Sequence, residues 1–108
     1  PHHQYYAHDI TNTYSVQDGE FHTFTCIWDE EHLAMYIDLE KYPDAEPYFE
    51  MKIEDFGNDE FRKENFILLN LAVGGNFPGI WDINQVTALK DGAVEMEVDY
   101  VRIFQKVK

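Results

Sequence analysis

The strongest constraint on the fold is the stretch spanning residues 67–79, I-L-L-N-L-A-V-G-G-N-F-P-G. It opens as an apolar run broken once by Asn70, then gives way to two glycines, an asparagine and Phe-Pro-Gly. A run so apolar and so short is either a strand covered on both faces or a buried helical turn. Gly74, Gly75, Pro78 and Gly79 favour the strand, because they make a sharp, ordered exit that a helix would not use. Asn70 carries the functional question. A lone amide in an apolar strand must find partners, since burying it unpaired costs about 1–3 kcal/mol. It either ties the sheet to a neighbouring loop or faces a cleft and binds a polar ligand.

The rest of the chain is arranged in short strands around this run. Residues 1–19 are polar, rich in His, Tyr, Asn and Thr, and read as loop with a short strand at 4–8 and a turn at Gln17-Asp18-Gly19. Residues 21–29 place β-branched and aromatic side chains on both faces, which predicts a strand inside a two-layer structure. A polar turn at 29–32 leads to a return strand at 33–38, completing a hairpin. Pro43 and Pro47 mark 39–49 as loop, and 48–53 alternates weakly, as a strand would. The acidic stretch 54–64 reads as an exposed connection with a single helical turn. Residues 82–92 form a second connection with room for a short helix. The last segment, 93–105, alternates clearly from Glu95 onward and predicts a closing strand. About five strands and little helix make an all-β chain, half of an antiparallel β-sandwich.

Charge narrows the partners. The 108 residues carry 21 acidic against 8 basic side chains, a formal net charge of −13. Such a surface repels phosphate backbones and anionic bilayers, which argues against nucleic acid and against membrane insertion. Neutral sugars and cations such as calcium remain suitable ligands. With 44% apolar residues the chain is too hydrophobic to be disordered despite its charge. Cys26, the single cysteine, sits in the apolar pattern F-H-T-F-T-C-I-W and is expected to be a small buried hydrophobe.

Candidate chemistry is sparse. Glu95, Glu97 and Asp99 fall on one face of the predicted last strand, about 6–7 Å apart along it. Retaining glycosidases use two carboxylates about 5 Å apart, so a catalytic pair is physically possible there. A terminal strand with an acidic face more simply meets solvent or a cation, and no catalytic residue is assigned. The histidines at 2, 3, 8, 22 and 32 have no zinc spacing, and no nucleophile elbow, P-loop or dinucleotide fingerprint occurs. Aromatic residues on loops are more informative. Phe77 and Trp81, beside Asn76, have the make-up of a sugar-binding surface, where rings stack on apolar pyranose faces and amides bind hydroxyls. The plain alternative is that these rings plug the end of a sandwich.

Four ordered blocks carry a family resemblance: F-H-T-F-T-C-I-W at 21–28, L-A-M-Y-I-D at 33–38, F-I-L-L-N-L-A-V-G-G-N-F-P-G at 66–79 and M-E-V-D-Y-V-R-I-F-Q at 96–105. Together they resemble the C-terminal half of a glycoside hydrolase family 16 domain, of the laminarinase-like endo-β-1,3-glucanase type. The resemblance covers residues 21–105, and residues 1–108 are then expected to be the C-terminal part of one such domain. It implies a concanavalin-like β-jelly roll whose concave sheet holds the polysaccharide. It also implies retaining hydrolysis of β-glucan by a Glu nucleophile and a Glu acid/base in an E-x-D-x-x-E motif. That motif does not occur here, so the catalytic pair is expected in an N-terminal half, on this chain or as a partner chain. The 108 residues alone are expected to be inactive.

By the same resemblance, Asn70 matches a cleft-facing asparagine. Asn76 and Phe77 match the cleft rim, where many relatives carry Trp in place of Phe77. Asp99 matches an aspartate that in many members helps hold one structural calcium ion. An extracellular, cell-surface or periplasmic location is implied as well. The alternative function is a non-catalytic, lectin-like carbohydrate-binding jelly roll using Asn70, Asn76, Phe77 and Trp81.

Overall fold

The computed structural model describes residues 14–54 and 59–107. The chain divides into two units, Pro1–Phe66 and Ile67–Lys108, taken in turn below. The short strand expected at 4–8 lies outside the described residues.

The first unit is an open antiparallel sheet in the order β1-β2-β3, with β1 at Phe24–Trp28, β2 at His32–Ile37 and β3 at Phe49–Lys52. All three match strands expected from the sequence, β1 and β3 shorter at their ends and β2 of the expected length but one residue earlier. β1 and β2 are joined by a tight turn whose acidic sequence has a structural use. Asp29 Oδ1 accepts hydrogen bonds from the backbone N–H groups of Glu31 and His32, both at 2.8 Å. A short carboxylate that captures the amides two and three residues ahead fixes the turn.

Register decides which side chains meet. Trp28 faces Leu33 and Leu33 faces Met51; Cys26 faces Met35 and Met35 faces Phe49. Because side chains alternate along a strand, Phe24, Cys26, Trp28, Leu33, Met35, Ile37, Phe49 and Met51 share one apolar face. The other carries Thr25, Ile27, His32, Ala34, Tyr36, Glu50 and Lys52. On that second face His32 Nε2 meets Glu50 Oε1 at 2.8 Å, a diagonal cross-strand pair. The core forms on the first, where Leu33, Met51 and Ile53 are buried and Met35, Phe49 and Phe61 pack against them.

Phe61 arrives on a 3-10 turn at Asp59–Arg62, the helical turn expected in the acidic connection. Three hydrogen bonds pin that turn to the sheet. Trp28 Nε1 donates to the Phe61 carbonyl at 2.7 Å. Arg62 donates through Nε to the Glu30 carbonyl at 3.0 Å and through Nη2 to the Ile53 carbonyl at 3.3 Å. One apolar face, one polar face and no α-helix among the described residues make an all-β architecture, as one layer of an antiparallel β-sandwich is built.

Two expectations are corrected. Cys26 is exposed, because β1 lies at the sheet edge away from the buried cluster, which forms on the β2–β3 side around Leu33, Met51 and Ile53. The runs at 65–73 and 93–105 form no strand ladder among the described residues. Phe66, Leu68, Leu71 and Val73 are exposed, as are Val94, Met96, Val98 and Tyr100. An apolar or alternating pattern records which faces a segment can bury, whereas a ladder needs a second backbone in register.

The second unit is ordered locally instead. A bridge joins Gly75 to Ile80, and 3-10 turns follow at Ile83–Gln85 and Thr87–Leu89, where a short helix was expected. Arg102 places its guanidinium 4.2 Å from the centre of the Tyr100 ring, a cation–π contact.

The contrast in burial yields a test. Leu33 is 7% exposed and Leu68 is 73% exposed. Leu33→Ala should cost about 2–4 kcal/mol in urea unfolding followed by circular dichroism. Leu68→Ala should change the same midpoint by less than about 0.5 kcal/mol. Equal losses would mean that Leu68 is as buried as Leu33.

Candidate functional site

Asn76 and Phe77 stand on one turn that the backbone closes on itself, and Trp81, the third residue marked by sequence there, follows it directly. The Gly75 N–H donates to the Ile80 carbonyl at 2.7 Å, and the Ile80 N–H returns the bond to Gly75 at 3.2 Å. Inside this clamp the Gly79 N–H donates to the Asn76 carbonyl at 3.2 Å. The glycine at 74 is required twice over: its φ is +67°, and a Cβ there would meet the Ile80 carbonyl oxygen at 2.7 Å. The clamp is therefore built from backbone alone and leaves the side chains of Asn76 and Phe77 to face water.

Phe77 is fully exposed, and Trp81 directly beyond the clamp is largely exposed. The chain after Trp81 is held too. Asp82 Oδ1 accepts from the Asn84 backbone N–H at 2.9 Å and from the Asn84 amide at 3.0 Å, capping the 3-10 turn at Ile83–Gln85. Two aromatic rings and one amide thus project from a backbone fixed on both sides. Among the described residues neither ring is covered, and an aromatic face presented in this way can stack on the apolar face of a ligand.

Asn70 and Asp99 lie outside this turn, and both are exposed. A calcium ion takes about six to eight oxygen ligands. Among the described residues no three His, Cys, Asp or Glu side chains come together, so Asp99 would be a single ligand within this stretch. Glu95, Glu97 and Asp99 are exposed along a segment that forms no ladder, so the spacing expected of one strand face is not imposed on them.

The first unit holds a polar cluster that sequence reasoning missed. Asp38, just after β2, is 1% exposed and adopts φ +52°, in the left-handed region. Its Oδ1 accepts from the Thr23 N–H at 2.9 Å, while its Oδ2 accepts from the Tyr14 hydroxyl and lies 2.6 Å from His22 Nδ1. The opposite ring nitrogen, His22 Nε2, lies 2.7 Å from Asp18 Oδ1. Backbone bonds tighten the same corner, from Asp38 N–H to the Thr23 carbonyl at 2.8 Å and from Lys41 and Tyr42 N–H to the Asp38 carbonyl at 3.0 Å. Burial pushes the Asp38 carboxyl up, but the hydrogen bonds from Tyr14, His22 and Thr23 outweigh it and hold it at about 2. The bond to Asp38 pushes the Tyr14 phenol up to about 12. The sequence held one hint of this cluster: an aspartate ending a strand at the mouth of a turn, where side-chain capture of backbone amides is common.

Comparison with known proteins adds two distant relatives. No protein family's sequence profile and no solved structure matches the chain. The chain is 30% identical over 102 residues to the clotting factor G alpha subunit of Tachypleus tridentatus, covering 92% of this chain and 14% of that protein. It is 26% identical over 90 residues to glucan endo-1,3-beta-glucosidase A1 of Niallia circulans, covering 82% of this chain and 13% of that protein. The similarity spans most of this chain and a small part of each relative.

Two outcomes follow from the geometry. Gly74→Ala should force the clamp open, at a cost of about 1–2 kcal/mol for the left-handed backbone alone, seen as loss of hydrogen-exchange protection at the Gly75 and Ile80 amides. The Asp38 carboxyl lies below its unfolded value of 3.8, so its stabilisation is complete above that value and is lost as pH falls toward about 2. The melting temperature should therefore drop between about pH 4 and pH 2, and Asp38→Asn should flatten that part of the curve.

Proposed function

We propose that this chain supplies a β-1,3-glucan-binding surface, and that it does so as part of an extracellular glycoside hydrolase of the family 16 type. The observation that carries this reading is the fully exposed Phe77 on its backbone clamp, with Trp81 and Asn76 alongside. Pyranose rings present flat C–H faces to aromatic side chains, and their equatorial hydroxyls pair with amides that both donate and accept. A surface with net charge −13 suits a neutral polysaccharide and disfavours an anionic one. The similarity to a glucan endo-1,3-beta-glucosidase supports the choice of linkage.

In this reading the chain binds and positions the glucan. The reaction itself needs a nucleophilic and an acid/base carboxylate flanking the glycosidic bond. We assign these to residues outside the 108, because no E-x-D-x-x-E motif occurs among them. A second reading is a lectin-like module that holds glucan without cutting it, which the exposed Asn76, Phe77 and Trp81 would serve equally.

Titration with laminarin, a soluble β-1,3-glucan, tests the surface. Tryptophan fluorescence, with Trp28→Phe isolating the Trp81 signal, should change saturably. Phe77→Ala, read by the same fluorescence, and Trp81→Ala, read by isothermal titration calorimetry, should each weaken binding about tenfold, equivalent to about 1.4 kcal/mol. No reducing sugar should be released by the chain alone. Absence of binding, or binding that survives both substitutions, would remove the loop from consideration.

A further inference from the structure

His22 is the one described histidine with a carboxylate on both ring nitrogens, at 2.6 Å from Nδ1 and 2.7 Å from Nε2. A neutral imidazole offers one donor and one acceptor, and ionised carboxylates only accept. Both contacts are therefore satisfied together only when the ring carries two protons. The alternative, a protonated carboxyl, is disfavoured on both sides, because the hydrogen bonds each carboxylate receives favour its ionised form. Asp38 receives the Tyr14 hydroxyl and the Thr23 N–H, which hold it well below the ordinary carboxylate range. Asp18 Oδ1 accepts the Glu20 N–H at 3.0 Å as well as facing His22.

The two links differ in strength. The Asp38 side chain is 1% exposed, the His22 side chain 6% and the Asp18 side chain 46%. If the ring loses a proton, one contact must become acceptor against acceptor. The buried, multiply bonded link to Asp38 holds, and the half-exposed link to Asp18 gives way. We propose that protonated His22 is a clasp that fastens residues 15–20 to the corner after β2 and lets them go when it loses its proton.

Those residues depend on the clasp. Residues 15–20 are all exposed, and their other side-chain bonds are internal: Gln17 N–H to Ser15 Oγ at 3.1 Å and the Glu20 bond to Asp18. Among the described residues, few groups face His22 from the neighbouring elements. Asp18 comes from the segment before β1 and Asp38 from the corner after β2. Tyr14 sets its ring edge-on to His22 at 6.1 Å and to Tyr42 at 5.9 Å. Glu40 is occupied by the Thr23 hydroxyl at 2.5 Å, and Lys41 joins the corner through its backbone. No described cation opposes the proton. The hydrogen bonds to Asp38 and then Asp18 raise the pKa of His22 above the ordinary 6.5. The clasp is thus fully closed below 6.5 and opens as pH rises through the higher, folded-state value.

The test uses the full chain and does not depend on glucan binding. Nitrogen-15 NMR of the imidazole across pH 5–9 should show His22 with both nitrogens protonated at pH 6.5 and a midpoint above that value. The backbone amides of Gln17 and Glu20 should shift with the same midpoint. Hydrogen exchange over residues 15–20, corrected for intrinsic rates, should be about tenfold faster at pH 9 than at pH 6. Asp18→Asn should lower the midpoint of His22 and abolish the linked amide shifts while leaving β1–β3 signals in place. Should His22→Gln disturb the sheet, the Asp18→Asn arm and the wild-type titration still decide. A His22 that titrates at or below 6.5, or residues 15–20 indifferent to its titration, would overturn the clasp.

Discussion

Leu33 is held between Trp28 on one neighbouring strand and Met51 on the other, and the first unit depends on that pairing. β2 is the only strand of the three with partners on both edges. Its register brings the apolar side chains of β1 and β3 onto one face, where Ile53 and Phe61 complete the cluster. A slip of one residue would turn Leu33 and Met35 to the polar side and bring Ala34 and Tyr36 inward. The turns guard against that slip: Asp29 locks one end of β2 and Asp38 the other.

Asp38 shows how an acidic protein keeps a buried charge. A carboxylate at 1% exposure is costly unless each oxygen is satisfied, and here Thr23, Tyr14 and His22 do so. These partners come from two places in the chain, Tyr14 and the adjacent His22 and Thr23, so the carboxylate joins two points of the segment before β1 to the corner after β2. The same network gives His22 its second role, since a ring between two carboxylates keeps its proton.

The candidate binding turn rests on a different principle. Its geometry comes from backbone hydrogen bonds between Gly75 and Ile80 and from glycines that tolerate left-handed φ. Rigidity made this way leaves the side chains unengaged. Phe77 can therefore be both well placed and fully exposed, which a ring built into a core cannot be.

Much of the local structure was legible in the residues themselves. Alternation and β-branching located β1, β2 and β3 to within a few positions. The Gly74–Gly79 punctuation located the turn that carries Asn76 and Phe77 and leads directly to Trp81. These features depend on neighbours in the chain, and periodicity and turn chemistry encode such neighbours directly. Ladders at 65–73 and 93–105 could not be read in the same way, because apolar pattern states a capacity for burial and pairing supplies the partner. The exposure of Cys26 likewise followed from β1 lying at the sheet edge, a fact of strand order. Only the tertiary structure joined Tyr14, Asp18, His22 and Asp38, since hydrogen bonds between residues up to 24 positions apart leave no periodic trace.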